Sequence, residues 1–255
     1  MSLSVINPAL PLQSEYQAPL NDLLACLTSG LEGTLHSVYV YGSVARKTAR
    51  PNHSNLNVIV VLNQPLDERW PILFNTVKWR FQRNFPYVTE VCLKTALLKE
   101  VASLSSLFSW GFILKHLSVC VHGTNLGDSF GSYQPSWEIA KFWNMDLEEW
   151  LTKYRHQIVK SSSGASQIKA QQMIAQKLLR ASHTLIMHKD KRWYDDPLAC
   201  GEGFLRYFPE KEKEIKRLGI LLSGRLIAKR SVIGILDGFG GWLVQQYKRT
   251  EFRIG

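Results

Sequence analysis

The stretch from Val38 to Leu62, VYVYGSVARKTARPNHSNLNVIVVL, constrains the fold more than any other part of the chain. Its two ends, Val38–Tyr41 and Val58–Leu62, are β-branched and aromatic runs of the length expected for buried strands. Between them lies a polar, basic segment that starts with Gly42-Ser43. It carries Arg46, Lys47 and Arg50, and no acidic residue follows until Asp67. Two uses suit a Gly-Ser step at the end of a strand. One is an ordinary turn leading into a solvated basic loop. The other is an anion site, where backbone N–H groups and a hydroxyl approach a phosphate and glycine permits close contact. Spacing alone leaves both open.

The same residues resemble the signature of the DNA polymerase β-like nucleotidyltransferase superfamily, in the style of its small bacterial and aminoglycoside-modifying members. The family pattern is a strand, Gly-Ser, about ten residues, then Ser-Asp-(apolar)-Asp on the next strand. Gly42, Ser43, Ala45, Arg46, Ala49, Ser54, Leu56 and the strand Val58–Leu62 match it. Asn55 and Asn57 stand where the family has its two aspartates, and Lys47 stands in place of a glycine. The resemblance covers roughly residues 20–126 and implies a nucleotide or other phosphate held by Gly42, Ser43, Arg46 and Lys47. It also implies Mg²⁺ with a nucleoside triphosphate wherever transfer occurs. The family takes a third acidic residue from a third strand, expected here at Tyr87–Leu93, which makes Glu90 the one carboxylate left of three. Apart from the resemblance, Glu90 reads equally well as a solvated residue on an edge strand.

Alternate residues of a strand share a face, so positions 55 and 57 are expected to project together. Two aspartates there would form a dianionic clamp for Mg²⁺, a hard ion commonly held by carboxylates and phosphates. Two asparagines offer neutral carbonyl oxygens, together with N–H donors that could bond phosphate directly. Catalysis that neutralises triphosphate charge with metal is therefore expected to be disabled. This favours a nucleotide-binding pseudoenzyme with little or no transferase activity. The alternative is an active enzyme that moves a nucleoside monophosphate to a hydroxyl of a small molecule or protein. It would rely on Glu90, or on a borrowed carboxylate such as Asp195, at a non-standard metal site.

Beyond this stretch, 255 residues suffice for a sizeable core and one or two domains. The net charge of +10 is uneven: residues 1–135 hold ten Lys and Arg against eight Asp and Glu, and the rest hold 21 against 13. An anionic partner is one reading of that excess, whether nucleotide or acidic protein, and a solvated basic surface is the other. No groove-reading or base-stacking pattern points to nucleic acid. No run of eighteen apolar residues predicts a membrane span. MSLSVINPALPLQSEY lacks a basic start, so no signal peptide is expected. Cys26, Cys92, Cys120 and Cys200 are widely spaced, and Cys92 and Cys120 read as buried free thiols in strands, consistent with a cytoplasmic protein.

The expected architecture is α+β: a mixed sheet flanked by helices over residues 1–130, followed by an all-α bundle over 131–255. Residues 1–15 read as an irregular arm. Pro19 opens a helix to about Leu31 with leucines at helical spacing, and a second helix ends near Asn84. One or two helices occupy 94–117, and a fourth strand runs Ser118–His122. The segment NLGDSFGSYQPS marks a boundary. Helices are then expected at 136–160, Gln167–His188, from Pro209, and at Val232–Lys248, the last weakened by four glycines. Glu148 and Glu149, where some family members carry a general base, read better as a solvated helix face. Asp195-Asp196 before Pro197 reads better as a helix cap.

Overall fold

A computed structural model describes residues 11–67 and 70–250, the side chain of Leu73 excepted. The chain divides into two compact units, one ending at Tyr133 and the next beginning at Gln134. Most of the expected arm lies outside the described residues.

In the first unit, helix α1 (Ser14–Gly30) precedes strands β1 (Leu35–Tyr41) and β2 (Leu56–Leu62). Helix α2 (Trp70–Asn84), β3 (Val91–Leu97), the short α3 (Leu98–Val101) and β4 (Ser118–Gly123) follow. The sheet order is β3-β2-β1-β4. β1 is antiparallel to both neighbours, and β2 and β3 are parallel. One face buries Val38, Val40, Val58, Val60 and Leu62 against Leu20, Leu23 and Leu27 of α1 and Val77 and Phe81 of α2. The other buries Tyr39, Ile59, Val61 and Ala96 with Val101 and Leu114. Period-two alternation on β1 and β2 thus feeds two separate apolar layers.

Helix α1 starts five residues before Pro19, not at it. Proline lacks the N–H that would bond the Glu15 carbonyl four residues back. The Tyr87 hydroxyl donates to that carbonyl instead, at 2.8 Å. Helix α2 begins at Trp70 with Pro71 in its first turn, where a missing N–H is harmless.

The third strand lies four residues later than the sequence suggests. The backbone around Tyr87–Glu90 is committed elsewhere: Val88 N–H bonds Phe85 O (3.0 Å), Asn52 N–H bonds Tyr87 O (2.6 Å), and Thr89 N–H bonds Ser54 O (3.3 Å). Glu90 consequently precedes β3 and is not a strand residue, although its carbonyl accepts the Leu56 N–H at 2.9 Å. Nor are residues 94–117 helical throughout. They begin in β3, pass through α3 and a 3₁₀ turn (Leu104–Ser106), and widen into π-helical stretches at Leu107–Gly111 and Ile113–Leu117. Cys92 and Cys120 do lie in strands as free thiols, but both are half-buried.

The second unit is helical among its described residues. It comprises α4 (Trp137–Asn144), α5 (Leu147–Lys160), α6 (Gly164–Asp190), α7 (Pro197–Leu205), α8 (Glu212–Leu222), α9 (Lys229–Ile235) and α10 (Gly241–Thr250). The single helix expected over 136–160 breaks at Met145-Asp146. Ser136, Ser163 and Asp196 cap α4, α6 and α7 by accepting N–H bonds from Ile139, Ser166 and Ala199. A π turn (Leu236–Gly240) joins α9 to α10, where the glycines had suggested weakness. At the centre, Tyr247 donates to Ala181 O (2.7 Å) and lies within hydrogen-bond reach of Thr184 Oγ1 (2.7 Å) and Asn144 Nδ2 (3.1 Å). No helix among the described residues is long and apolar enough to cross a membrane.

Candidate functional site

β1 and β2 pair up to Tyr41 and Asn57, and the connection between these residues leaves the sheet. Gly42 opens it at φ +79°, a left-handed conformation that L side chains rarely adopt. A methyl group there would stand 2.9 Å from Asn57 Nδ2, so glycine also makes room for that amide. One helix-like turn follows. Arg46 N–H bonds Gly42 O (3.1 Å), Lys47 N–H bonds Val44 O (3.2 Å), and Thr48 N–H bonds Ser43 O (2.9 Å). Among the described residues, no acceptor takes the N–H of Ser43, Val44 or Ala45, as expected at the open start of a helical turn. The turn is held firmly from beneath: Val44, Ala45 and Ala49 are buried. The Gln13 amide brackets the backbone of Ala49, accepting its N–H at 2.9 Å and donating to its carbonyl at 3.1 Å.

Ser118, Tyr41, Asn57 and Cys92 form one row across the four strands, each the register partner of the next. Asn55, one residue before β2, reaches the same place: its Nδ2 donates to Cys92 Sγ at 3.7 Å, and its Oδ1 accepts the Thr89 hydroxyl at 2.5 Å. The structure therefore gathers Gly42, Asn57, Asn55 and Cys92. Glu90 lies next to this group through its backbone bond to Leu56, the residue between the two asparagines. Lys47 is exposed, at φ +60°, and Arg46 is half-buried. Two steps beyond Cys92, Lys94 holds its ammonium 4.5 Å from the Trp110 ring centroid. Burial, with Cys92 close by, pushes the Tyr41 hydroxyl above its ordinary pKa and keeps it protonated.

Sequence reasoning missed Tyr41 and Cys92 as neighbours of the asparagines. The signal needed was the parallel register of β2 and β3, which depends on where β3 begins.

The donor set does not suit the Mg²⁺ implied by the family resemblance. Asn55 Oδ1 is engaged by Thr89, both Nδ2 groups are donors, and Glu90 is the one carboxylate at the three positions. Among the described residues, no three His, Cys, Asp or Glu side chains gather as a cation site. In the helical unit, Asp195 accepts the Trp193 indole N–H (3.2 Å) and Glu148 pairs with Lys248 (2.6 Å).

A structural likeness comes in with this geometry. Over 91% of this chain and 98% of the other, the structure matches spectinomycin adenyltransferase AAD(9) from Enterococcus faecialis, crystallised with ATP and spectinomycin, at TM-score 0.58 and 14% identity. The chain shares the fold of that adenyltransferase. At so low an identity the likeness is one of fold. No family model matches the chain, and no curated protein sequence does.

Proposed function

We propose that this protein binds a nucleotide, or another phosphate ligand, at the Gly42–Lys47 turn, and transfers little or nothing. The observation that carries the reading is the contact of Asn57 with Gly42. It sets a neutral amide donor beside a turn whose first N–H groups meet no acceptor among the described residues. Phosphate oxygens need donors and positive charge. The turn supplies N–H groups and the Ser43 hydroxyl, and Arg46, Lys47 and Arg50 supply charge within the same connection. The two asparagines add donors in place of metal-binding carboxylates. The fold it shares with a protein crystallised with ATP supports a nucleotide as the ligand. On this reading residues 1–130 form the ligand-binding domain and 131–255 a helical partner domain. The basic excess of the latter suits an acidic protein.

The test is a titration of ATP and the other nucleoside triphosphates by melting temperature, once with Mg²⁺ and once with EDTA. Binding to the folded state alone at a hundred times Kd should stabilise it by about 2.7 kcal/mol. The expected rise is equal in the two buffers. A rise that needs Mg²⁺, or radiolabelled nucleotide found on an acceptor, would overturn the reading.

A further inference from the structure

The connection from Gly42 to Ser54 holds a strained backbone. Lys47 (φ +60°) and Asn52 (φ +63°) are two of the three non-glycine residues at positive φ among the described residues, and Gly42 adds φ +79°. A long side chain such as lysine rarely occupies the left-handed region, and such residues persist only where their surroundings over-determine them. Burial of Val44, Ala45 and Ala49 fixes one side of the connection, but its backbone polar groups still need partners.

Helix α1 supplies them. Gln13 stands just before it, and its own carbonyl accepts the Tyr16 N–H at 3.0 Å, opening the helix. The side-chain amide is used elsewhere: Oε1 accepts the Ala49 N–H at 2.9 Å, and Nε2 donates to the Ala49 carbonyl at 3.1 Å. One amide thus engages both backbone polar groups of a residue lying between the two left-handed ones, as a neighbouring strand would. A second strut runs beside it. The Tyr87 hydroxyl donates to Glu15 O at 2.8 Å, and the Tyr87 carbonyl accepts the N–H of Asn52 itself at 2.6 Å. The start of α1 therefore holds the connection at Ala49 directly and at Asn52 through Tyr87.

We propose that Gln13 is a positioning residue for the ligand turn, setting Ser43–Lys47 in the phosphate-binding arrangement before the ligand arrives. The inference rests on the nucleotide reading of that turn. Without the clamp, Lys47 relaxes toward right-handed backbone and the turn samples arrangements that do not bind. Affinity falls in proportion to the competent fraction, so relaxation of about nine-tenths of the molecules weakens binding about tenfold.

The experiment measures ATP affinity by calorimetry, and amide exchange without ligand, on the full chain. Gln13→Ala should weaken ATP binding about tenfold and speed exchange over residues 42–50. Gly33→Ala, beyond the opposite end of β1, controls for lost stability and should leave both unchanged. Gln13→Glu adds a pH profile of affinity that lost stability alone would not give. Its carboxylate keeps the Ala49 N–H but sets a second acceptor against the Ala49 carbonyl, and protonation restores the donor. Measured against the native chain at each pH, its ATP affinity should be low at pH 7.5 and recover toward pH 5. If the native chain binds ATP and Gln13→Ala binds it equally well, the role of Gln13 is overturned and the nucleotide reading stands. Exchange over 42–50 that ignores Gln13→Ala would overturn that role too. No ATP binding by the native chain would overturn the nucleotide reading, and the role of Gln13 with it.

Discussion

Restoring both carboxylates, with Asn55→Asp and Asn57→Asp in one variant, probes the geometry on which the nucleotide reading rests. Positions two residues apart on extended chain are separated by about 7 Å. Two full charges at that distance repel by about 2 kcal/mol at an effective dielectric constant of about 20, and by about 0.6 kcal/mol in bulk water. Both positions are half-buried, so the real cost lies between these values. The aspartate at 55 keeps an acceptor for the Thr89 hydroxyl, and what is lost is the amide donor to Cys92. Without divalent ion the double variant should therefore be less stable by about 1–2 kcal/mol, a fall in Tm of about 2–8 °C for a protein of this size. Mutual repulsion raises the folded-state pKa of the pair. Its penalty is thus full at neutral pH and disappears as pH falls through the carboxylate range. Mg²⁺ should return the lost stability, because it binds the paired carboxylates in the folded state only. The assay is thermal unfolding at pH 7 and pH 3.5, with Mg²⁺ or EDTA, beside the native chain. A double variant indifferent to Mg²⁺ would mean that side chains 55 and 57 do not converge. A native chain that responds as strongly as the variant would mean that its amides already hold the ion.

Four further outcomes can be checked on the same material. Gly33→Ala should cost about 1 kcal/mol for its left-handed φ of +74°, since nothing stands in the way of the methyl group. Gly42→Ala should cost more in urea unfolding and also weaken ATP binding, because its methyl group meets the Asn57 amide. Tyr247→Phe should destabilise by about 1 kcal/mol, since it removes from the core a hydroxyl that donates to Ala181 O and lies within reach of Thr184 Oγ1 and Asn144 Nδ2. Burial lowers the pKa of His183, and the nearby Asp190 only partly opposes this. The histidine is then neutral in the folded state and takes up a proton on unfolding. Its contribution is complete above the unfolded pKa and declines as pH falls through the folded one, so Tm should drop between pH 7 and pH 5. In His183→Gln that slope should be shallower.

Strands β1 and β2 were legible because valine, isoleucine and tyrosine crowd into runs bounded by Gly42 and Asn63. The third strand was not. Tyr87-Val88-Thr89 has strand composition, but its backbone hydrogen bonds go to the connection at 52–54 and to Phe85, while exposed Lys94 and Thr95 take the ladder positions. The widened helical turns over 107–117 escaped detection because a period of 3.6 does not describe them. The break at Met145-Asp146 carries neither glycine nor proline to announce it. At the candidate site, Gly42 and the two asparagines could be picked out by family resemblance. The row from Tyr41 to Cys92 could not, because it exists only once three strands are in register.

The connection between Tyr41 and Asn57 is anchored at both feet by the final pair of a ladder, and along its length by Gln13 on Ala49 and by Asn52 and Ser54 on the Tyr87–Thr89 backbone. Val44, Ala45 and Ala49 also belong to the core beneath it. A graft from a related protein would therefore have to keep those three small and apolar, whereas the exposed Lys47, Thr48 and Arg50 could be exchanged without asking the sheet to change.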